Sequence, residues 1–192
     1  MVRFVSTESG LRLLRTTLRF HGDHARSVGT KRGRVHTTSQ GTSDPEALAL
    51  QAGFLRLVSV TEATLDSLGR ELTASSVGNV DQVIRALMLE KELAATSNWE
   101  ARKRAFKRHH RVDIAKCAEH PRVEGAVEVR NAIAHGLGQL TTRQSESKET
   151  PKRLARIQVE VVNGRVDLRL SHLTECGSYA AEFLISVDDS VG

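Results

Sequence analysis

Aromatic residues make up only 4% of this 192-residue chain, so Leu, Val, Ile and Ala must build its core, and that composition favours helices. The two cysteines, Cys117 and Cys176, do not have the spacing of a disulfide framework, which favours a reduced protein. No apolar run approaches the roughly 18 residues that span a bilayer, and the N-terminus lacks the apolar segment of a secretory signal. We therefore expect a cytoplasmic protein with no membrane partner.

The charge balance is basic, with 28 lysines and arginines against 23 acidic residues and a formal net charge of +5. A basic balance permits a polyanionic partner, most often nucleic acid, but does not require one, so the clustering of cations matters more than their total. Residues 1–43 are the most biased segment, with eight cations against Glu8 and Asp23. We predict a basic N-terminal segment over 1–43, formed by a helix near 8–24 and a mobile linker, and a separate domain over 44–192.

Hydrophobic spacing predicts helices through most of this second domain. Pro45 and Glu46 are typical of a helix start, and the long helix predicted over 44–72 is apolar on two sides. Such a helix lies either at the centre of a bundle or in a subunit interface. Further helices are predicted after Val80, Trp99 and Pro121, and the polar segment 141–153 is predicted to be a loop.

One strong β signal comes late in the chain. Apolar residues alternate on both sides of the dipeptide at 163–164, and Asn-Gly between alternating runs is typical of a type I′ hairpin. Residues from Ser171 onward then return to helical spacing. The predicted fold class is therefore mainly α, a helical bundle with one late β-hairpin and a closing C-terminal helix.

The stretch EVRNAIAHGLG, residues 128–138, places Arg130 at the border of the apolar stripe of its helix. A guanidinium in that position needs a carboxylate, a carbonyl or an anion. One interpretation is a structural ion pair with Glu124 or Glu128, with His135 stabilising the helix C-terminus. The other is that Arg130 and His135 act together on a ligand. The expected apolar stripe is Val123, Ala126, Val127, Ile133, Ala134 and Leu137.

The spacing of the pair restricts the second interpretation. Five residues turn an α-helix through about 140°, so Arg130 and His135 do not share one narrow face. Asn131, by contrast, lies one turn before His135 on the same polar stripe. Only a groove that wraps this edge of the helix would let both side chains converge, and a second copy of the helix would form one.

The sequence RNAIAH resembles the R-x4-6-H motif of the HEPN superfamily, in which a polar residue follows the arginine. Over residues 44–190 the chain also resembles ribonuclease-type HEPN domains, with the motif on a late helix before a hairpin and a closing helix. This resemblance implies an HEPN-like bundle over 44–192 and a metal-independent endoribonuclease without a cofactor. It also implies a homodimer acting as a toxin or phage-defence effector, with an antitoxin or another inhibitory or effector protein as a further partner.

The resemblance assigns catalytic roles to three residues. RNA supplies the 2′-OH nucleophile, and His135 would act as acid, base or both, because an imidazole changes charge near neutral pH. Arg130 would stabilise the charge that develops on the phosphorane, and Asn131 would orient His135 or hold a phosphate oxygen. The expected product end is a 2′,3′-cyclic phosphate or a 3′-phosphate.

Two features keep other interpretations open. Leu137 stands where HEPN toxins paired with a nucleotidyltransferase antitoxin carry a tyrosine, so nucleotidylation of a tyrosine is not implied here. Some HEPN relatives are catalytically silent. The alternative function is therefore a silent HEPN-like subunit that binds RNA or protein within a larger toxin–antitoxin or defence complex.

The segment 101–111, ARKRAFKRHHR, contains six cations and no acid. It is either the solvated face of an amphipathic helix or a track for the phosphate backbone, whose affinity would be independent of sequence and weakened by salt. An acidic inhibitor protein could occupy the same track. The predicted RNA-binding residues are Arg102, Lys103, Arg104, Lys107, Arg108 and Arg111.

Histidines near this segment invite a metal hypothesis. His110, Cys117 and His120 lack the paired spacing typical of structural zinc sites, so no metal is predicted. We expect His120 to cap a helix, and we expect His172, which follows a helix start, to lie on the surface.

Overall fold

The computed structural model describes residues 3–30, 36–38, 41–77 and 82–191, and these ranges are mainly α-helical. The helices are α1 (Val5–Thr30), α2 (Pro45–Val77), α3 (Gln82–Ala95), α4 (Trp99–His109), α5 (His120–Gly136), α6 (Thr142–Glu146), α7 (Glu149–Ala155) and α8 (Leu170–Asp189). The strands form two antiparallel hairpins, β1 (His36–Thr38) with β2 (Gly41–Ser43), and β3 (Glu160–Val162) with β4 (Arg165–Asp167). The predicted fold class is confirmed: mainly α, with a late hairpin and a closing helix.

Helix α2 is the central helix of the bundle, which is the first of the two places its sequence predicted. Its side chains Phe54, Leu57, Leu65 and Leu68 are almost completely buried. α1 and α8 pack along it, and α5 packs against both α2 and α8. The core therefore lies between α2 and its neighbours, and α2 supplies a polar stripe beside its apolar ones.

Helix α1 begins earlier and ends later than the predicted 8–24. It runs antiparallel to α2, because Ser6 near its start binds Glu71 (Oγ to Oε2, 2.7 Å), whereas Gly29 near its end lies beside Glu46. A Cβ atom on Gly10 would clash with the side chain of Thr64, so the two helices are in close contact.

The predicted division at residue 43 stays a prediction, although α1 contributes Leu11, Leu14 and Ala25 to the shared core. Ala25 is 1% exposed, which shows that packing continues beyond the predicted helix end. Residues 31–35 and 39–40 of the predicted linker lie outside the described residues. The hairpin β1–β2 falls within that linker, where no strand was predicted.

The polar segment 141–153 is not a loop, and that prediction is wrong. Thr141 and Gln144 form a capping box at the start of α6. The Gln144 side chain is buried, and its amide donates to the backbone oxygen of Glu128 at 2.8 Å and to its carboxylate at 2.9 Å. Thr150 and Leu154 are buried in α7. Polar side chains in this segment form local and tertiary hydrogen bonds. Hydrophobic periodicity alone does not detect such bonds.

The late hairpin is confirmed. Asn163 and Gly164 have φ values of 50° and 78°, as a type I′ turn requires, and Val161 pairs with Val166 across the strands. The following helix has Arg169 at its N-cap, one turn before His172. His172 is buried rather than on the surface, and its Nδ1 atom accepts a hydrogen bond from the Arg169 backbone N–H at 3.1 Å.

His120 is likewise buried and is not the cap of α5, whose N-cap position is Glu119. Its ring stacks on Trp99 with a centroid distance of 6.2 Å and lies 6.3 Å from the ring of Phe183. Burial lowers the pKa of His120, an effect that the carboxylate of Glu124 partly opposes. A buried neutral imidazole makes the fold sensitive to acid.

We expect acidification below about pH 6.5 to destabilise the protein through His120. Its pKa is lower in the folded chain, so the unfolded chain takes up the proton first and the free energy of unfolding falls as the pH drops. His120→Phe keeps an aromatic ring between Trp99 and Phe183 but cannot titrate. Its urea midpoint should fall less than that of the wild type between about pH 7.5 and about pH 5.5. Equal falls in both proteins would contradict this prediction.

Candidate functional site

Arg130, Asn131 and His135 all lie on α5, where Arg130 and Asn131 are partly buried and His135 is exposed. The Nη2 atom of Arg130 is 2.6 Å from the Oε1 atom of Glu62 on α2, and its Nη1 atom is 2.9 Å from the Oδ1 atom of Asn131. The guanidinium is therefore fixed from two sides, by a carboxylate of the central helix and by the next residue in the chain.

The predicted ion-pair partners of Arg130 are wrong. Glu128 instead binds Arg153 of α7 at 2.6 Å, and Glu124 lies 3.3 Å from Lys103 of α4. The reason is rotational: Glu124 and Glu128 are one turn apart on the side of α5 that meets these elements, whereas Arg130 is turned towards α2. A structural ion pair does exist, but its acid comes from a distant part of the chain.

The Arg130 guanidinium has N–H groups that these two hydrogen bonds do not use. It has five N–H groups, and the bonds to Glu62 and Asn131 use two of them, which leaves three. The side chain is 24% exposed, so part of it reaches the surface. The arrangement can hold the arginine in place and still present N–H groups to an oxyanion.

Glu62 also belongs to a larger cluster that links α2, α4 and α5. Arg102 binds both carboxylate oxygens of Asp66, at 2.7 Å and 2.9 Å, and its Nη1 atom lies 3.5 Å from the same Glu62 oxygen that Arg130 contacts. We call Glu62, Asp66, Arg102 and Arg130 the carboxylate cluster. The sequence signal that could have indicated it is the pair of acids four residues apart in the middle of α2.

The six predicted RNA-binding residues fall into two groups in the structure, three that contact carboxylates and three that contact none among the described residues. Arg102 is 7% exposed and lies in the carboxylate cluster, so it is not available to a phosphate. Lys103 is paired with Glu100 at 2.6 Å and with Glu124 at 3.3 Å. Lys107 is exposed but 2.9 Å from Asp113. These three cations are at least partly neutralised by carboxylates.

The other three cations of the predicted track are exposed. Arg104 and Arg108 lie on α4, one turn apart. α4 ends at His109, so Arg111 lies beyond the helix. The positive surface is therefore smaller than predicted. The prediction included too many residues because the sequence does not show which face of α4 packs against α2.

His135 is exposed in the last turn of α5, and the late hairpin fixes the end of that helix. The Nη2 atom of Arg165 donates to the backbone oxygen of Leu137 at 3.1 Å, and the Val166 backbone N–H donates to that of Gly138 at 2.9 Å. Gly138 has a φ of 91°, and a Cβ atom there would lie 2.8 Å from the Nε2 atom of Gln51. His135 thus stands on a backbone that the hairpin and α2 support.

The apolar surface beside His135 differs from the predicted stripe. Ala134 and Leu137 were expected to pack, yet both are exposed, and Leu137 is 80% exposed with a left-handed φ of 51°. The buried apolar face of α5 is instead formed by Val123, Ala126, Val129, Ala132 and Ile133. The packing face is turned away from the end of the motif, which leaves His135 between exposed apolar neighbours.

No family model, no curated protein and no solved structure matches the chain. Among the described residues, no group of three His, Cys, Asp or Glu side chains is placed to hold a metal ion. No helix in the described ranges is long and apolar enough to cross a membrane.

Proposed function

We propose that the protein is a metal-independent endoribonuclease of the HEPN type that acts as a toxin or phage-defence effector. The observation that carries the proposal is the arrangement on α5. Arg130 is anchored by Glu62 yet keeps N–H groups unused, Asn131 bonds to it, and His135 is exposed one turn further along. These are the residue types that RNA cleavage by internal attack requires.

In the proposed reaction the 2′-oxygen of RNA forms a bond to phosphorus and the bond from phosphorus to the 5′-oxygen breaks. His135 takes the proton from the 2′-OH or gives one to the leaving 5′-oxygen. Arg130 binds the phosphate oxygens as negative charge builds up on them, because a guanidinium can donate two parallel hydrogen bonds. Asn131 holds Arg130 or His135 in position.

A dimer completes the proposed site. Within one chain Arg130 and His135 are about 140° apart around the helix, so one copy does not direct both at a single phosphate. The exposed Leu137 and Ala134 beside His135 support contact with a second copy at this edge. We place the dimer in the cytoplasm, with an antitoxin or another inhibitory or effector protein as its further partner.

Exposed cations supply the proposed RNA path. Arg104, Arg108 and Arg111 offer positive charge without a carboxylate partner among the described residues. Each phosphate that they neutralise would release counterions, so RNA affinity should weaken as salt increases.

A second function, a catalytically silent RNA- or protein-binding subunit, is favoured by one observation. The ion pair between Arg130 and Glu62 is complete without any ligand and joins α5 to α2. In that case Arg130 would contribute stability, and His135 would have no chemical task.

Incubating the purified protein with RNA in EDTA separates the two functions. We expect cleavage to persist in EDTA and to be lost in Arg130→Ala and His135→Ala. Arg130→Lys is the conservative variant, since it keeps the charge facing Glu62 but not the two-pronged hydrogen bonding. Equal cleavage by the wild type and all three variants would mean a contaminating nuclease and would contradict the proposal.

A further inference from the structure

A cavity of about 530 Å³ lies between α2, α3 and α4. Its volume falls within the roughly 300–1,000 Å³ that is typical of sites for small organic molecules. None of the functional roles assigned above uses it. Its apolar lining is supplied by Leu65, Ile84, Leu87, Met88 and Phe106.

The cavity is positively charged at its rim. Arg70 and Lys91 are both exposed there, and neither forms an ion pair with any described residue. Arg70 donates one hydrogen bond, to the Oγ atom of Ser67 at 3.0 Å. Asp66 is the one carboxylate among the described lining residues, and Arg102 occupies both of its oxygens. The described part of the lining therefore leaves two cations uncompensated, which favours an anionic occupant.

Gly69 lies in the wall of the cavity, in the interior of α2, where glycine is disfavoured relative to alanine. A Cβ atom there would lie 3.8 Å from the Phe106 ring and 3.9 Å from the His110 ring, which is ordinary van der Waals contact. The described neighbours therefore do not require a glycine for close packing. Its effect is to leave space between α2 and α4 where a larger side chain would project.

We propose that this cavity binds a small organic anion, an apolar ring or chain that carries a phosphate, sulfonate or carboxylate. The apolar body would lie against Phe106 and Leu87, and the anionic group would lie between Arg70 and Lys91. The wall includes Arg102, which contacts the same Glu62 oxygen as Arg130, so the ligand would lie next to the carboxylate cluster. Binding is measurable without RNA, so failure of this proposal leaves the ribonuclease proposal intact.

The test is a fluorescence titration of the full chain with 8-anilinonaphthalene-1-sulfonate, an aromatic anion, and with N-phenyl-1-naphthylamine, a neutral aromatic amine of similar shape. We expect saturable binding of the anion and weaker binding of the neutral probe. The double variant Arg70→Gln/Lys91→Gln should raise the Kd for the anion by about tenfold. The matched control Arg12→Gln/Arg15→Gln removes two exposed charges from α1 and should leave that Kd unchanged.

Substitutions that fill the cavity test the proposal independently of the charge variants. Gly69→Leu should abolish binding of both probes, whereas Gly69→Ala, whose Cβ fits without a clash, should retain it. Competition with adenosine 5′-monophosphate and with decanoate then distinguishes an aromatic phosphate from an acyl carboxylate. Circular dichroism and thermal melting show whether each variant is folded; the two charge variants alter exposed side chains and do not depend on repacking.

Two results would overturn the proposal. One is a Kd for the sulfonate that is the same in the wild type, in Arg70→Gln/Lys91→Gln and in Gly69→Leu. Binding of the neutral probe as tightly as the sulfonate would have the same meaning. The other is a loss of probe binding at higher protein concentration that coincides with self-association measured by sedimentation. A second copy of the chain would then occupy the cavity.

Discussion

His135→Ala is expected to lower the rate of RNA cleavage by about 10² to 10⁴, the range typical of removing a general acid or base. The same substitution should change the free energy of unfolding by less than about 0.5 kcal/mol. The reason is that the His135 side chain is exposed and makes no hydrogen bond or ion pair with any described residue. A large loss of activity without a loss of stability is the signature of a chemical role.

His24→Ala is the matched control, because His24 is also an exposed histidine on a helix and lies in α1. It should leave both the cleavage rate and the urea midpoint unchanged. If His135→Ala instead lowers stability by more than about 1 kcal/mol while no RNA cleavage is detectable in any variant, the silent-subunit function is correct.

Arg102→Ala is expected to have the largest effect on stability, a loss of about 2 to 4 kcal/mol in the free energy of unfolding. Its side chain is 9% exposed and forms the two short bonds to Asp66 and the longer contact with Glu62. Among the described residues, removing it leaves Asp66 with no cationic partner and Glu62 with only Arg130, in a place where both carboxylates are mostly shielded from water. An uncompensated carboxylate in such surroundings is costly.

Arg104→Ala provides the comparison, two positions further along the same helix. Arg104 is exposed, so its removal should change stability by less than about 0.5 kcal/mol and should weaken RNA binding with a smaller salt dependence. Urea unfolding and RNA titrations at several salt concentrations measure both effects. If Arg102→Ala is as stable as the wild type and weakens RNA binding as much as Arg104→Ala, the buried ion-pair role of Arg102 is wrong.

The elements of the fold followed from local patterns in the sequence. Apolar spacing predicted the long helix α2 and the closing helix α8, and Asn163-Gly164 predicted the hairpin, because each signal lies within one element. The helices of the segment 141–153 did not follow. They depend on hydrogen bonds such as the one from Gln144 to Glu128, which hydrophobic periodicity does not register.

The candidate site was predictable only in part. The placement of Asn131 and His135 one turn apart is a property of helix geometry, and the sequence was sufficient for it. The partner of Arg130 was not predictable, since Glu62 lies 68 residues away in the sequence. Likewise, nothing local distinguishes Arg102 from Arg104 in a run of cations. The packing of α4 against Asp66 decides which of them is buried.

The most direct measurement is end-group analysis of an RNA oligonucleotide cut by the purified protein in EDTA, beside a matched oligonucleotide with 2′-deoxy nucleotides. We predict 2′,3′-cyclic phosphate or 3′-phosphate ends on the RNA, no cut at 2′-deoxy positions, and loss of these ends in folded His135→Ala. Ends that carry a 3′-hydroxyl, cleavage of the 2′-deoxy strand at the same rate, or unchanged activity of His135→Ala would contradict it.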